Sequence, residues 1–145
     1  TRHGYALDSF IILDPQGRDA NYRDVMSFVE HELAQRLEGR APLDAPATGR
    51  LSRRVRHFPI SPEIELQPDE RGSYMVLSVI SSDRPGLLYR IALVLVRYEI
   101  GLHSAKINTL GERVEDTFLI TGPALADART ALRLESELVQ ALQID

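Results

Sequence analysis

The 145-residue sequence contains no cysteine. That excludes disulfides, thiolate nucleophiles and Cys-ligated metal sites. It also has no tryptophan and only four Phe and five Tyr, so no platform for stacking nucleic-acid bases is evident. An excess of positive charge is missing too. The formal net charge is −4, which gives no basic signature for nucleic acid. No apolar run approaches the roughly 18 residues of a membrane-spanning helix. The opening residues "TRHGYALDSF" have neither the apolar core of a signal peptide nor a starting Met, and read as the cut edge of a longer chain. HExxH, GxSxG and P-loop spacings are absent as well. The four histidines, His3, His31, His57 and His103, are scattered. "EHEL" around His31 reads as a solvated helix face. His103, at a strand start, reads as a hydrogen-bonded structural residue. No catalytic residue and no metal site is expected.

What is present is a soluble α+β pattern. Apolar residues make up 43% of the chain, enough for a buried core. Residues 4–14 alternate as a strand, with Phe10 and Ile12 on one face and Ile11 and Leu13 on the other. Tyr22, Val25, Met26, Val29, Leu33 and Leu37 recur at helical spacing, with Asn21 as an N-cap and Gly39 as a stop. Residues 40–56 hold Pro42, Pro46 and Gly49 and the basic cluster Arg50, Arg53, Arg54 and Arg56. They read as a solvated loop, with contact to an acidic partner or a nucleotide as the alternative. Residues 57–66 read as a proline-interrupted edge strand, and 67–73 as a linker.

From Tyr74 the pattern is strand (74–80), helix (85–99), strand (102–110), strand (114–122), helix (126–143). Pro85 takes the first helical position. Leu88, Ile91, Leu95 and Tyr98 form a stripe that Leu87, Val94 and Val96 widen, which predicts a helix covered on more than one side. Leu132, Leu134, Leu138 and Leu142 give the last helix its apolar side. This order matches the split βαβ, ferredoxin-like layout, with helices on one face of an antiparallel sheet. One phrase occurs twice: "LDSFIILD" with Asp8 and "EDTFLITG" with Asp116. Aligning the two makes residues 1–66 the back part of a first module, lacking its opening strand, helix and strand, and 74–145 a second module. Apolar residues left without their cover, such as Ile11, Leu13 and one side of the 22–38 helix, then predict a homodimer or an element-swapped oligomer.

The segment "SSDRPGLLYRI" (81–91) carries the ligand chemistry. A helix amino terminus leaves backbone N–H groups unpaired, and its dipole favours negative charge. Gly86, Leu87 and Leu88 would supply those donors, and Gly86 would permit close approach. Such a loop suits a carboxylate or amide oxygen. Asp83 would accept from an amino group and Arg84 would pair with a carboxylate. The same residues also make an ordinary turn into a helix.

The runs "VISSDRPGLLYRIALVLV" and "LHSAKINTLGERVEDTFLITG" resemble ACT domains, small ferredoxin-like modules that bind amino acids and regulate enzymes. With "TRHGYALDSFIILDPQG" and "HFPISPEIEL", nearly the whole chain is similar to the C-terminal tandem ACT domains of bifunctional uridylyltransferase/uridylyl-removing enzymes. "DRPGLL" alone is shared by other ACT proteins, including stringent-response synthetases. The resemblance implies a cytoplasmic bacterial glutamine sensor in an enzyme that modifies the nitrogen-regulatory protein PII. It implies a ligand site at Asp83, Arg84, Pro85, Gly86, Leu87 and Leu88, with Ala105, Lys106 and Ile107 of the following strand added. It also implies that the parent enzyme uses UTP and a divalent metal such as Mg on catalytic domains that this chain does not contain, so that the chain itself needs no cofactor. A module that docks PII or the parent's other domains, without a ligand, is the alternative.

Overall fold

A computed structural model describes residues 22–39, 44–46, 51 and 53–143. The chain divides into two compact units, Thr1–Asp44 and Ala45–Asp145. In the first, α1 (Tyr22–Gly39) has the predicted extent and buries none of its residues. Arg36 lies 3.8 Å from Glu32 one turn earlier and 3.9 Å from Asp44. The strand expected at 4–14 and the Asn21 cap lie outside the described residues.

The second unit is α+β. Its strands are β1 (Glu63–Pro68), β2 (Met75–Ser82), β3 (Gly101–Lys106), β4 (Thr109–Leu110) and β5 (Arg113–Thr121). They form one antiparallel sheet in the order β1-β2-β5-β3, with β4 also on β5. Its helices are α2 (Arg53–His57), α3 (Leu87–Arg97) and α4 (Ala128–Leu142). From β2 onward the order is the strand–helix–strand–strand–helix of a ferredoxin-like module. β1 completes the sheet on the outer side of β2.

In the sequence, residues 57–66 read as part of the first module and 67–73 as a linker; in the structure residues 63–68 pair with β2. Pro59 and Pro62 do hold the strand back to Glu63, and it is an edge, as prolines require. Gln67 and Pro68 are still paired, to Val76 and Met75. The turn beyond them closes on Asp69, whose amide donates to the Tyr74 carbonyl (2.9 Å) and whose carboxylate accepts the Tyr74 amide (2.8 Å). The Tyr74 amide is the main reason the Asp69 carboxyl titrates below its ordinary range. A short β1–β2 hairpin thus stands where a linker was expected.

Period-2 alternation sets the core. Leu77, Val79 and Ser81 of β2 and Val114, Asp116, Phe118 and Ile120 of β5 share one face and are all buried. Leu87, Ile91, Val94 and Leu95 of α3 and Leu134, Leu138 and Leu142 of α4 pack in the same cluster. The two helices are also tied by polar groups. Tyr98 Oη donates to Glu137 Oε1 (2.8 Å) and Arg97 Nη1 to Glu137 Oε2 (2.7 Å). The Glu137 bond raises the Tyr98 hydroxyl, and the same bond lowers the Glu137 carboxyl. α4 opens on Asp127, whose carboxylate accepts the Thr130 amide at 2.8 Å.

Several expectations shift in detail. α3 starts at Leu87, not at Pro85, and α4 at Ala128 after a 3-10 turn at Pro123–Ala126. Leu88, Leu93 and Val96 remain exposed, so no second cover for α3 is found among the described residues. Leu132 is also exposed. The strand predicted over 102–110 breaks at Ile107–Asn108 and carries a register shift between Leu102 and Ser104. Residues 53–56, expected as loop, and His57, expected to open a strand, form α2, which buries Val55. His103 stacks on Tyr74, ring centroids 4.4 Å apart. No helix among the described residues is long and apolar enough to cross a membrane.

Candidate functional site

The loop from β2 to α3 is built by its own residues. Leu87 N–H donates to the Arg84 carbonyl (3.2 Å), closing a turn with Pro85 and Gly86 at its centre. Gly86 has φ 77° and ψ 12°, the values that the third residue of a type II turn requires. Pro85 supplies the fixed φ of the second. The Pro-Gly pair therefore makes a turn, and that is why the helix begins two residues later than Pro85 suggests. A Cβ on Gly86 would also stand 3.0 Å from Cγ of Pro46. Gly86 is thus demanded by the backbone as well as by space.

Among the described residues no side chain caps α3. Its first residues, Leu87, Leu88 and Tyr89, line a cavity of about 350 Å³, and the first N–H groups of a helix have no partner within the helix. Leu87 N–H is taken by the turn, so the donor set is narrower than the sequence suggests and centres on Gly86 and Leu88. The cavity is lined by Asp83, Arg84, Gly86, Leu87, Leu88 and Ile107 from the predicted set. Pro46, Tyr89, Thr109, Val114 and Asp116 complete it. Pro85 is outside the lining. Ala105 and Lys106 are exposed on β3 and are not part of it.

Arg84 is committed elsewhere. Its Nη2 donates to the Ala141 carbonyl at 2.7 Å and its Nη1 to the Gln143 carbonyl at 3.0 Å. Those acceptors end α4, where helix carbonyls lack internal partners and the dipole favours a cation. The guanidinium therefore ties the loop to the end of α4 instead of presenting itself for a ligand carboxylate.

Asp116 is the residue that the sequence reading quoted but did not place in the site. It sits on the helix-covered face of β5, opposite Val79, and is 1% exposed. Its Oδ1 accepts the Asn108 amide at 3.0 Å. Its Oδ2 is buried with no hydrogen-bond partner among the described residues. Burial pushes its carboxyl above the ordinary 3.8. The Asn108 amide pulls it down, and the charge of Asp83 pushes it up again. The alternation Val114, Asp116, Phe118, Ile120 already marked it, since a carboxylate there falls on an apolar face.

A second cavity, of about 360 Å³, lies among α2, Ser82 and the β4–β5 turn. Its arginines are paired, Arg54 with Glu112 (3.6 Å) and Arg113 with Glu115 (2.7 Å). Ser82 Oγ accepts the Ile60 amide at 2.8 Å. This is a joint that fastens the segment before β1. Among the described residues no group of three or more His, Asp or Glu is placed to hold a metal ion.

The fold is that of a ferredoxin-like α+β module, with a cavity at the β2–α3 loop. Comparison with known proteins gives the particular relationship. The chain matches bifunctional uridylyltransferase/uridylyl-removing enzymes along 99% of its length: it is 56% identical over 144 residues to that of Burkholderia lata, 55% to that of Burkholderia vietnamiensis and 54% to that of Burkholderia thailandensis. It spans 17% of the length of each of these relatives. No family model matches the chain.

Proposed function

We propose that the chain is the effector-sensing part of a uridylyltransferase/uridylyl-removing enzyme, that its second unit is an ACT-type module, and that the β2–α3 pocket binds free glutamine. The pocket carries this reading. It sets the uncapped start of an 11-residue helix, suited to a carboxylate, beside two aspartates suited to an ammonium group. Its volume lies in the range of small-molecule sites. In this reading the chain performs no chemistry. UTP, the divalent metal and the exchange of uridylyl groups on PII belong to other parts of the enzyme. Arg84 serves as a brace for the loop and Gly86 as its pivot.

Glutamine then acts only through a difference in its affinity for two states of the parent. The loop is positioned for such a role, because Arg84 connects it directly to the end of α4. A ligand drawing on Leu88 and Asp116 would bear on the loop, α3 and β5 together. Calorimetry of the chain with L-glutamine, L-asparagine and L-glutamate is the test. The expected result is heat of binding for glutamine, abolished by Leu88→Pro, which removes a backbone donor. Equal heats for the three amino acids would remove glutamine selectivity from the reading.

A further feature favours association with another module. β3 is a sheet edge whose Gly101, Leu102, Ala105 and Lys106 are exposed. A second ACT-type module pairing there would bring its own loop toward Ala105–Ile107, and α1 would contribute exposed apolar residues to the same self-association. Sedimentation at tens of micromolar showing only monomer would remove that part.

A further inference from the structure

A buried carboxylate with an empty acceptor is costly in a core otherwise built from Val79, Val114 and Phe118. Asp116 meets that description at one oxygen only. Oδ1 is satisfied by the Asn108 amide, which also fixes the orientation of the carboxyl group. Oδ2 is the unsatisfied one, and Asp116 lines the pocket. Asp83 lines the same pocket and bears electrostatically on Asp116. Among the described residues the one guanidinium in the lining, that of Arg84, is directed at α4 carbonyls. The interior of this pocket is therefore acidic, while its mouth at α3 is electropositive.

From this arrangement we infer that Asp116 is a ligand-binding residue: its Oδ2 receives the ammonium group of an amino acid whose carboxylate lies at the amino terminus of α3. The inference rests on reading the pocket as an amino-acid site and adds the anchor for the cationic end. An ammonium group fits better than a neutral donor. It brings several N–H groups, so one can reach Asp116 while another serves Asp83. It also brings positive charge to a place where two carboxylates oppose each other. A bare divalent ion fits less well, since among the described residues no third His, Asp or Glu is grouped with them. Leu87, Ile107 and Val114 wall the pocket with apolar surface and strengthen the interaction by excluding water. The pocket would thus recognise a free amino acid and reject one that is acylated or in a peptide bond at its nitrogen.

The test is a binding cycle on this chain, with L-glutamine and its desamino analogue glutaramate as probes, on the wild type and Asp116→Asn. Wild type should bind glutamine about 10- to 100-fold more tightly than glutaramate, the span of one charge-assisted hydrogen bond. Asp116→Asn should lose that preference while binding glutaramate within about twofold of wild type. If the variant keeps the full preference for glutamine, Asp116 is not the ammonium anchor, although the amino-acid site stands. If wild type binds neither probe, both readings fall. Should the variant not fold, the Asp116 side-chain carboxyl carbon of labelled wild type is followed by NMR. Its resonance should move with glutamine and stay in place with glutaramate. A resonance unmoved by saturating glutamine overturns the inference.

Discussion

Replacing Arg84 with alanine removes the two hydrogen bonds that join the pocket loop to the end of α4. The bond from Nη2 to the Ala141 carbonyl (2.7 Å) is partly buried. The bond from Nη1 to Gln143 (3.0 Å) is exposed. A hydrogen bond from a charged donor contributes about 1.5–3 kcal/mol. Taking that for the buried bond and about half for the exposed one, the substitution should cost about 2–4 kcal/mol. Part of the cost is a helix end left without its cation. For a unit of about 100 residues, 1 kcal/mol is about 4–8 °C in Tm, so Tm should fall by about 8–30 °C. Urea unfolding followed by circular dichroism is the assay, with the midpoint shifting and the slope unchanged. Arg84→Lys should recover less than half of the loss, because a single ammonium cannot span both carbonyls as the fork does. The reasoning fails if Arg84→Ala costs less than about 0.5 kcal/mol, or if lysine restores full stability.

Other consequences follow from the same geometry. Burial raises the Asp116 carboxyl above 3.8, so the folded chain holds that proton more tightly than the unfolded chain. Its stabilising effect is complete below the unfolded value and is lost as pH rises through the folded one. Wild type should therefore lose stability relative to Asp116→Asn over that pH window, measured by urea melts from pH 3 to pH 7, and a flat difference would contradict the assignment. Gly86→Ala forces a Cβ onto a left-handed residue and toward Pro46, which should cost about 1–2 kcal/mol in the same melts. Leu138, fully buried in the core, should cost about 2–5 kcal/mol as alanine, with the same cooperative transition.

The fold was legible where periodicity was local and strong. Residues 74–80 and 114–122 are rich in β-branched and aromatic residues, and both become central strands. The last helix was legible from Leu134, Leu138 and Leu142. The β1–β2 pairing was less so, because prolines at 59, 62 and 68 obscure a strand whose partner is specified by non-local contact. Pro85 misled for a local reason. Proline at the first helical position and proline at the second position of a type II turn look alike, and only Gly86 with its positive φ separates them. The turn at Pro85–Gly86 was legible from its glycine and its place before a helix. Arg84 was not, because its acceptors lie nearly 60 residues further along the chain. Asp116 stood in plain view within a repeated phrase. The alternation of β5 puts it on the apolar face.

Nitrogen-15 amide spectra recorded while L-glutamine is added to the chain test the central claim most directly. The account predicts saturable shifts at Gly86 and Leu88, accompanied by Asn108, whose amide reports on the Asp116 carboxylate. Spectra unchanged up to tens of millimolar glutamine, or shifts confined to residues remote from this loop, would contradict it.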